Sequence, residues 1–409
     1  MKILVVCQHY WPEPYPLPDI CEELVQRGHQ VQVVTDVPNY PVGRIYPGYR
    51  SLKMRNQIHN GVRIRRTFTI GRRNNLFFRF LNYISFMLSS LLYVIGMKEE
   101  FDVVFANQSS PIIMSVAALA YGKKWHKKVV LYCMDLWPAS LAAGGIKENS
   151  IIYKAFKKIS RKIYRGADSI LISSESFREY LKAEFQISDE KIRYHPQYAD
   201  FVCGTGEPVE KDTVDLMFAG NVGVVQSIPT ILNAAKLLED QRQLRWHIVG
   251  DGSELVHCKK LAKELELQNV IFHGRKEYFE MPRYFAMADA MLLTLIADPF
   301  ISLTLPRKAQ TYLAAGKPVI GAANGEIAVT IRRSACGFCA EAEDAEGFAE
   351  AVRQFLAAPD KAQLGRNAED YYRRNFCRDR FMENLETELA SMLDDNSRTT
   401  EKEMSLSRL

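Results

Sequence analysis

Three stretches in the second half of this 409-residue chain carry residue types suited to holding a phosphate. A strand-like run, Val214 to Ala219, leads into Gly220-Asn221-Val222-Gly223, and a helix is expected to open near Ser227. Glycines in such a turn let backbone N–H groups face an anion at a helix N-terminus. The next strand-like run, Leu244 to Val249, ends in a second turn of this kind, Gly250-Asp251-Gly252. In the third stretch Pro306 can start a helix, which puts Arg307 and Lys308 in its first turn. Cations are unfavourable there unless an anion is bound, so a diphosphate would resolve the conflict. Two ordinary surface bases are the alternative reading.

The elements that would position these residues form two series. Strand-like runs occur at Lys2 to Cys7, Val31 to Thr35, Val62 to Arg66, Val103 to Asn107, Val129 to Cys133 and Ser169 to Ser173. Helical patterns lie between several of them, at Asp19 to Arg27, Pro111 to Tyr121 and Ile151 to Arg165. Such alternation implies a parallel, doubly wound sheet. Val202 to Thr213, with Gly204, Gly206 and Pro208, reads as a linker. The series then restarts with Val214 to Ala219, Leu244 to Val249, Val270 to His273, Ala290 to Leu295 and Pro318 to Gly321, with helices at Pro229 to Glu239 and Ser253 to Leu265. The fold class is therefore α/β, two Rossmann-like domains facing across a cleft, where ligands collect at the strands' carboxyl ends. The expected divisions are a domain over 1–200, a second over 201–375, a helix over 376–394 that packs back on the first domain, and a disordered tail over 395–409.

Hydrophobic residues make up 47% and charged residues 25%, which excludes disorder or a disulfide scaffold as whole-chain descriptions. The formal net charge of +5 is too small for a dedicated nucleic-acid binder. That figure hides a division: +11 for residues 1–200 and −6 for 201–409, counted from Lys, Arg, Asp and Glu. No acidic residue occurs between Asp36 and Glu99, and that window holds eleven bases. A further basic series, Lys154, Lys157, Lys158, Arg161, Lys162 and Arg165, shares one helix face. These clusters point to an anionic surface. Inside the acid-free window, Phe80 to Met97 is an uncharged run of 18 residues. Its small and polar members Asn82, Ser85, Ser89, Tyr93 and Gly96 fall on one stripe, so the helix is expected to bury most of its circumference in protein or partly in lipid. A membrane span is disfavoured because it would place residues 1–79, with three of the strand-like runs, and residues 98–409 on opposite sides. The first apolar run, Ile3 to Cys7, reads as a buried strand rather than a signal-peptide core, and the eight scattered cysteines fit a reducing compartment. Cys336 and Cys339 lack a second metal-spaced pair and read as packing residues.

In order along the chain stand Phe218-Ala-Gly220-Asn221-Val-Gly223, Val249-Gly250-Asp251-Gly252, Phe272-His273-Gly274-Arg275 and Pro306-x-Lys308…Tyr312-Leu-Ala-Ala-Gly316-Lys-Pro318. This combination resembles the donor half of a GT-B glycosyltransferase of family 4. The first half, through Tyr10-Trp11-Pro12-Glu13, Arg27-Gly28-His29 and Asp135-Leu136-Trp137-Pro138, is similar to the branch that builds bacterial O-antigen and capsule repeat units. The resemblance implies retaining, metal-independent transfer from a nucleotide sugar, a UDP-sugar by preference, to a lipid-linked (polyprenyl diphosphate) saccharide. No cofactor or nucleic acid is expected, and the chain is expected on the cytoplasmic, inner face of the cell membrane against anionic lipid. A nucleotide-sugar 2-epimerase of the same fold and a non-catalytic nucleotide-sugar-binding subunit are the alternatives.

The residues expected to act follow from that resemblance. Lys308, Arg307 and the N–H groups of Gly220 to Gly223 form a metal-free clamp for the leaving diphosphate. Asp135 is the expected carboxylate that orients or deprotonates the acceptor hydroxyl, with Glu13 second; a capping Asp is the plain alternative for Asp135. Gly250, Asp251, His273, Arg275 and Thr304 complete the donor side, and His9 and Asn107 the acceptor side. Two departures stand out. Asn221 and Gln226 occupy places where many members carry Arg and Lys, and the Glu-x7-Glu signature is missing, with Thr311 at its second Glu. Ribose recognition then falls to Thr311, Gln310 or Glu326.

Overall fold

Uninterrupted apolar runs such as Ile3 to Val6 and Val103 to Ala106 form strands buried on both faces, as a parallel sheet requires. The computed structural model describes residues 1–50, 52–73, 75–199 and 211–406, so the expected linker Val202–Thr213 lies almost wholly outside the described residues. The chain divides into two units. One comprises Met1–Ser173, Phe177–His195 and the segment from Met382 onward; the other comprises Ser174–Ser176 and Pro196–Phe381.

The first unit runs β1 (Lys2–Val6), α1 (Leu17–Gln26), β2 (Gln30–Thr35), β3 (Asn56–His59), β4 (Val62–Arg66), α2 (Leu76–Gly96), β5 (Val103–Gln108), α3 (Val116–Trp125), β6 (Val129–Cys133), α4 (Ala139–Ala143), α5 (Ile151–Gly166), β7 (Ser169–Ile172), α6 (Phe177–Phe185) and β8 (Ile192–Tyr194). Its sheet has the order β3-β4-β2-β1-β5-β6-β7-β8, parallel except for the β3–β4 pair. The short edge strands β3 and β8 escape sequence reading because their side chains are half exposed and few. The expected helix from Pro111 starts instead as a single 3-10 turn, Ile112–Ser115, before α3.

The second unit runs β9 (Val214–Ala219), α7 (Ile228–Leu237), β10 (Leu244–Val249), α8 (Leu255–Glu264), β11 (Val270–Gly274), α9 (Met281–Met287), β12 (Ala290–Thr294), α10 (Arg307–Ala314), β13 (Val319–Ala322), α11 (Glu326–Ser334), β14 (Gly337–Ala340), α12 (Ala345–Ala357) and α13 (Lys361–Asn375). Its all-parallel sheet has the order β11-β10-β9-β12-β13-β14, with an apolar cluster on each face. Cys336 and Cys339 are free thiols, and Cys336 lies in one of these clusters.

The final helix, α14 (Arg378–Leu406), joins the first unit from Met382. Met382, Leu385 and Leu389 are buried, Glu386 accepts from Arg27 (3.2 Å) and pairs with His29 (2.8 Å), and Glu388 accepts from Ser169 (2.5 Å). The expected tail from 395 continues this helix to Leu406, and 407–409 lie outside the described residues.

Of the two readings expected for helix α2, burial of most of its circumference in protein does not hold. Only 22% of its most apolar window is buried, and Phe77, Phe80, Leu88, Leu92 and Ile95 are exposed. What it turns inward is Asn82, Phe86, Ser90 and Val94, a single i, i+4 ridge. Asn82 explains the inversion. Its side-chain carbonyl accepts from Gln8 (2.7 Å), and its amide donates to the carbonyl of Ile70 (2.7 Å) and to Asn39 (3.3 Å), the first and last of these buried. A buried amide network of this kind fixes which face of a helix docks, because its groups have no substitute partner. Replacing Asn82 with Ala is expected to lower the free energy of unfolding by about 2–3 kcal/mol, since it removes the partner of the buried Gln8 amide and of the Ile70 carbonyl. A urea midpoint shift at constant m-value checks this.

Candidate functional site

In the second unit the phosphate-type turns lie against each other. Gly220 N–H donates to Val249 O (2.9 Å), Val222 N–H to Asp251 O (2.9 Å), and Gly250 N–H to Gly274 O (2.9 Å). The contact is so close that a Cβ on Gly250, where φ is +139°, would stand 1.8 Å from the Gly220 carbonyl oxygen. Only glycine fits there. Gln226 closes the first turn: its Oε1 accepts from Gly223 N–H (3.2 Å) and from the Asn221 amide (3.2 Å). Asp251 accepts from the N–H of Gly252 (2.7 Å) and is otherwise exposed.

Helix α10 brings the cation. Tyr312 is buried, and its hydroxyl donates to Ala219 O (2.8 Å) and accepts from Ala219 N–H (2.9 Å), which pins α10 to the end of β9. One turn earlier, the Lys308 ammonium lies 4.3 Å from the centre of the Phe218 ring and 3.3 Å from where a Gly220 Cβ would be. Its Nζ is buried and has no hydrogen-bond partner among the described residues. Burial pushes its pKa down to about 7. Arg307 faces elsewhere: its Nε donates to Tyr198 O (3.2 Å).

The remaining donor-side residues divide by their partners. Thr311 donates back to Arg307 O (3.2 Å), a bond within its own helix. Gln310 is buried and its amide serves the carbonyls of Pro306 and Arg307. Glu326 is buried and accepts from the N–H (3.0 Å) and hydroxyl of Ser176. Each residue weighed for a ribose therefore has at least one protein partner. Thr304 is half-buried and Arg275 exposed. His273 belongs to a relay that sequence reading missed: Asp215 Oδ1 to His247 Nε2 (2.8 Å), then His247 Nδ1 to His273 Nε2 (2.9 Å). Burial and the neighbouring His247 lower the His273 pKa. His247 and Asp215 are diagonal neighbours on adjacent strands, 32 residues apart in the chain, so no sequence spacing announces them.

In the first unit, His9 and Glu13 are both buried and paired through Nδ1 and Oε2 at 2.9 Å. The other oxygen of Glu13 accepts from the N–H groups of Asn39 and Tyr40, each at 2.6 Å. Asp36, unforeseen from the sequence, joins them: its Oδ2 accepts from Asn39 (3.0 Å), and burial and the charge of Glu13 push its pKa well up. One ligand atom from each of His9, Glu13 and Asp36 falls within 4.8 Å of the others, the only grouping of metal-ligand type among the described residues. The Glu13 oxygens are already engaged in hydrogen bonds, which favours an organising hydrogen-bonded pair over a cation site. Asp135 accepts from Ser140 at 2.5 Å, the turn-capping arrangement, and burial raises its pKa. Asn107 is buried on β5.

Residues 18–200 match the family model described as Glycosyltransferase Family 4, and residues 206–371 match Glycosyl transferases group 1. The chain belongs to the GT-B glycosyltransferases of this family. Among curated relatives it is 27% identical over 235 residues to the "Probable glycosyltransferase WbjE" of Pseudomonas aeruginosa, covering 54% of this chain and 56% of that one. It is 22% identical to a protein of Escherichia coli (strain K12) named as a colanic acid biosynthesis glycosyl transferase, WcaI, covering 90% and 95%. The matched region thus spans little over half the length of the first relative and nearly all of the second. Its fold is that of sucrose-phosphate synthase from Thermosynechococcus elongatus, with a TM-score of 0.76 at 16% identity over 96% of this chain and 99% of that one. The Anabaena protein HepE, solved with UDP and glucose, has a TM-score of 0.67 at 14% identity over 96% and 100%.

Lys308 generates a pH expectation with a definite sign. Its folded pKa, about 7, lies below the unfolded value of 10.5, so between them the unfolded chain binds the extra proton. The stability of the ligand-free protein should therefore rise with pH across that window relative to Lys308→Met. Affinity for a nucleoside diphosphate should fall over the same window by up to about tenfold per pH unit, since the bound anion needs the ammonium. Calorimetric titration of both proteins from pH 6.5 to 9 checks the two slopes.

Proposed function

We propose that this glycosyltransferase moves a sugar from a nucleotide sugar, a UDP-sugar by preference, to a lipid-linked saccharide in the synthesis of a bacterial surface polysaccharide, with retained configuration and without a metal. The observation that carries the donor side is the buried Lys308 ammonium, unpartnered among the described residues, against the Gly220 turn. Such a charge is costly alone and is stabilised once a diphosphate arrives. The ammonium then offsets the charge that grows as the sugar–phosphate bond breaks. Asn221 and Gln226 shape the turn and add no charge, so the electrostatic task concentrates on Lys308. On the acceptor side, Glu13 and His9 form a preorganised acid–base pair at the end of β1, and Asp135, bonded to Ser140, orients its loop. The relative named for colanic acid biosynthesis supports the acceptor class.

Membrane association is part of the proposal. Helix α2 presents a continuous apolar stripe, Phe77, Phe80, Leu88, Leu92 and Ile95, which a core helix does not. It packs on α3, and α5 packs on the turn Ile112–Ser115 that leads into α3. Helix α5 adds exposed Ile151 and Ile152 beside its basic face. Apolar stripe and basic helix on the same layer suit an anionic bilayer.

Lys308→Ala should lower kcat by about 10²–10³-fold while the melting temperature of the ligand-free protein holds or rises. Full activity would remove the clamp. Leu88→Glu with Leu92→Glu should abolish sedimentation with anionic vesicles while leaving binding of UDP, read by thermal shift, unchanged. Equal sedimentation by wild type and variant would remove the membrane face.

A further inference from the structure

The acid-free window does more than add positive charge. Several of its bases are spent within the fold: Arg63 pairs with Glu99 at 2.7 Å, Arg65 lies over the Tyr93 ring, and Arg66 is buried with its guanidinium on the carbonyls of Asp36 and Trp11. Arg44, Arg50 and Arg73 are different. They have no carboxylate partner among the described residues, and all three line one cavity of about 600 Å³. Its other walls are apolar, from Val42, Ile45 and Ile70. Three unpaired guanidiniums around an apolar-walled cavity describe a ligand with several anionic oxygens and a hydrocarbon part.

The cavity is built and not a chance gap between loops. Arg73 has left-handed backbone (φ +43°), held there by its N–H on the carbonyl of Gly43 at 2.7 Å, and Gly43 N–H donates to Asn39 O at 2.7 Å. The N–H of Arg72 bonds the side chain of Asn39 (3.3 Å), and the N–H of Asn39 bonds Glu13 (2.6 Å). One asparagine therefore ties the cavity wall to Glu13 and, through Asn82, to α2. The guanidinium of Arg73 also lies 4.0 Å from the ring centre of Phe78, in the first turn of α2 beside its exposed apolar stripe.

We infer that this cavity receives the diphosphate head of a lipid whose chain leaves along the apolar face of α2. The inference rests on the lipid-linked acceptor reading and names the site that would hold that acceptor's head, on the unit that carries His9 and Glu13. Arginine forks grip the phosphate oxygens, and the Asn39 network fixes the head relative to Glu13.

The test uses the full chain and phosphatidylcholine vesicles, plain or doped with a polyprenyl diphosphate, with flotation as the readout. Wild type should float with doped vesicles at least about tenfold better than Arg44→Gln with Arg50→Gln, because each lost fork removes a charge-assisted bond. Arg73→Asn, which keeps a residue tolerant of left-handed backbone, should show the same loss, and the exposed Lys260→Gln should not. Equal flotation of wild type and the arginine variants overturns the site. Flotation unaffected by doping, together with saturable binding of inorganic diphosphate that the variants lose, assigns the cavity to a free anion and overturns the lipid part. Sugar transfer to a lipid-linked saccharide, measured separately on wild type, tests the underlying reading: its failure while doped flotation persists removes the reading and leaves the site.

Discussion

Much of the second unit is organised around one unfavourable fact, an ammonium group buried without a counter-charge among the described residues. Lys308 reaches its place because Tyr312 bonds both backbone groups of Ala219, and the turn after Ala219 is shaped by contacts only glycine permits. A lysine held there loses water and gains only the face of Phe218 in return. Burial without a partner lowers its pKa accordingly. The fold sustains the cost through the apolar clusters on both faces of its six-stranded sheet. Preorganisation of this kind is useful when the missing partner is an anion whose charge grows during reaction.

The first unit ties a group of its buried polar side chains to one another. His9, Glu13, Asp36, Asn39, Asn82 and Gln8 form a connected set in which the carboxylate of Glu13 holds two backbone N–H groups and a histidine. Such a set is rigid because each member would be orphaned by movement of another. It reaches from the end of β1 to the middle of α2 and to the loops that carry Arg44 and Arg73. Rigidity there means that the basic loops, the apolar helix and the candidate acid–base pair keep fixed relations within one unit.

The same set explains why α2 wears its apolar residues outward. Burial of Asn82 and Ser90 on hydrogen bonds leaves Phe77, Phe80, Leu88, Leu92 and Ile95 facing out. In water such a stripe is a liability, and against lipid it is an attachment. The basic residues near it are fewer than the raw window suggests, since Arg63 and Arg66 serve the fold. Three of those left over, Arg44, Arg50 and Arg73, line the cavity.

Much of this was legible in the sequence. Buried parallel strands are near-continuous apolar runs, so both strand series and the family resemblance could be read from local pattern. Glycine turns and the basic first turn of α10 were visible for the same reason: each is a local conflict between residue type and conformation. The division of charge into +11 and −6 was a matter of counting. Tertiary structure alone decided which charges remain unpaired, because Glu99 reaches Arg63 across 36 residues and Tyr312 reaches Ala219 across 93. It also decided that Thr311, Gln310 and Glu326, open to a ligand by residue type, are committed to protein partners. The face α2 presents followed from Asn82 finding acceptors and donors on three separate segments. Periodicity reports that a helix has two faces, and only the partners available in space determine which one turns inward.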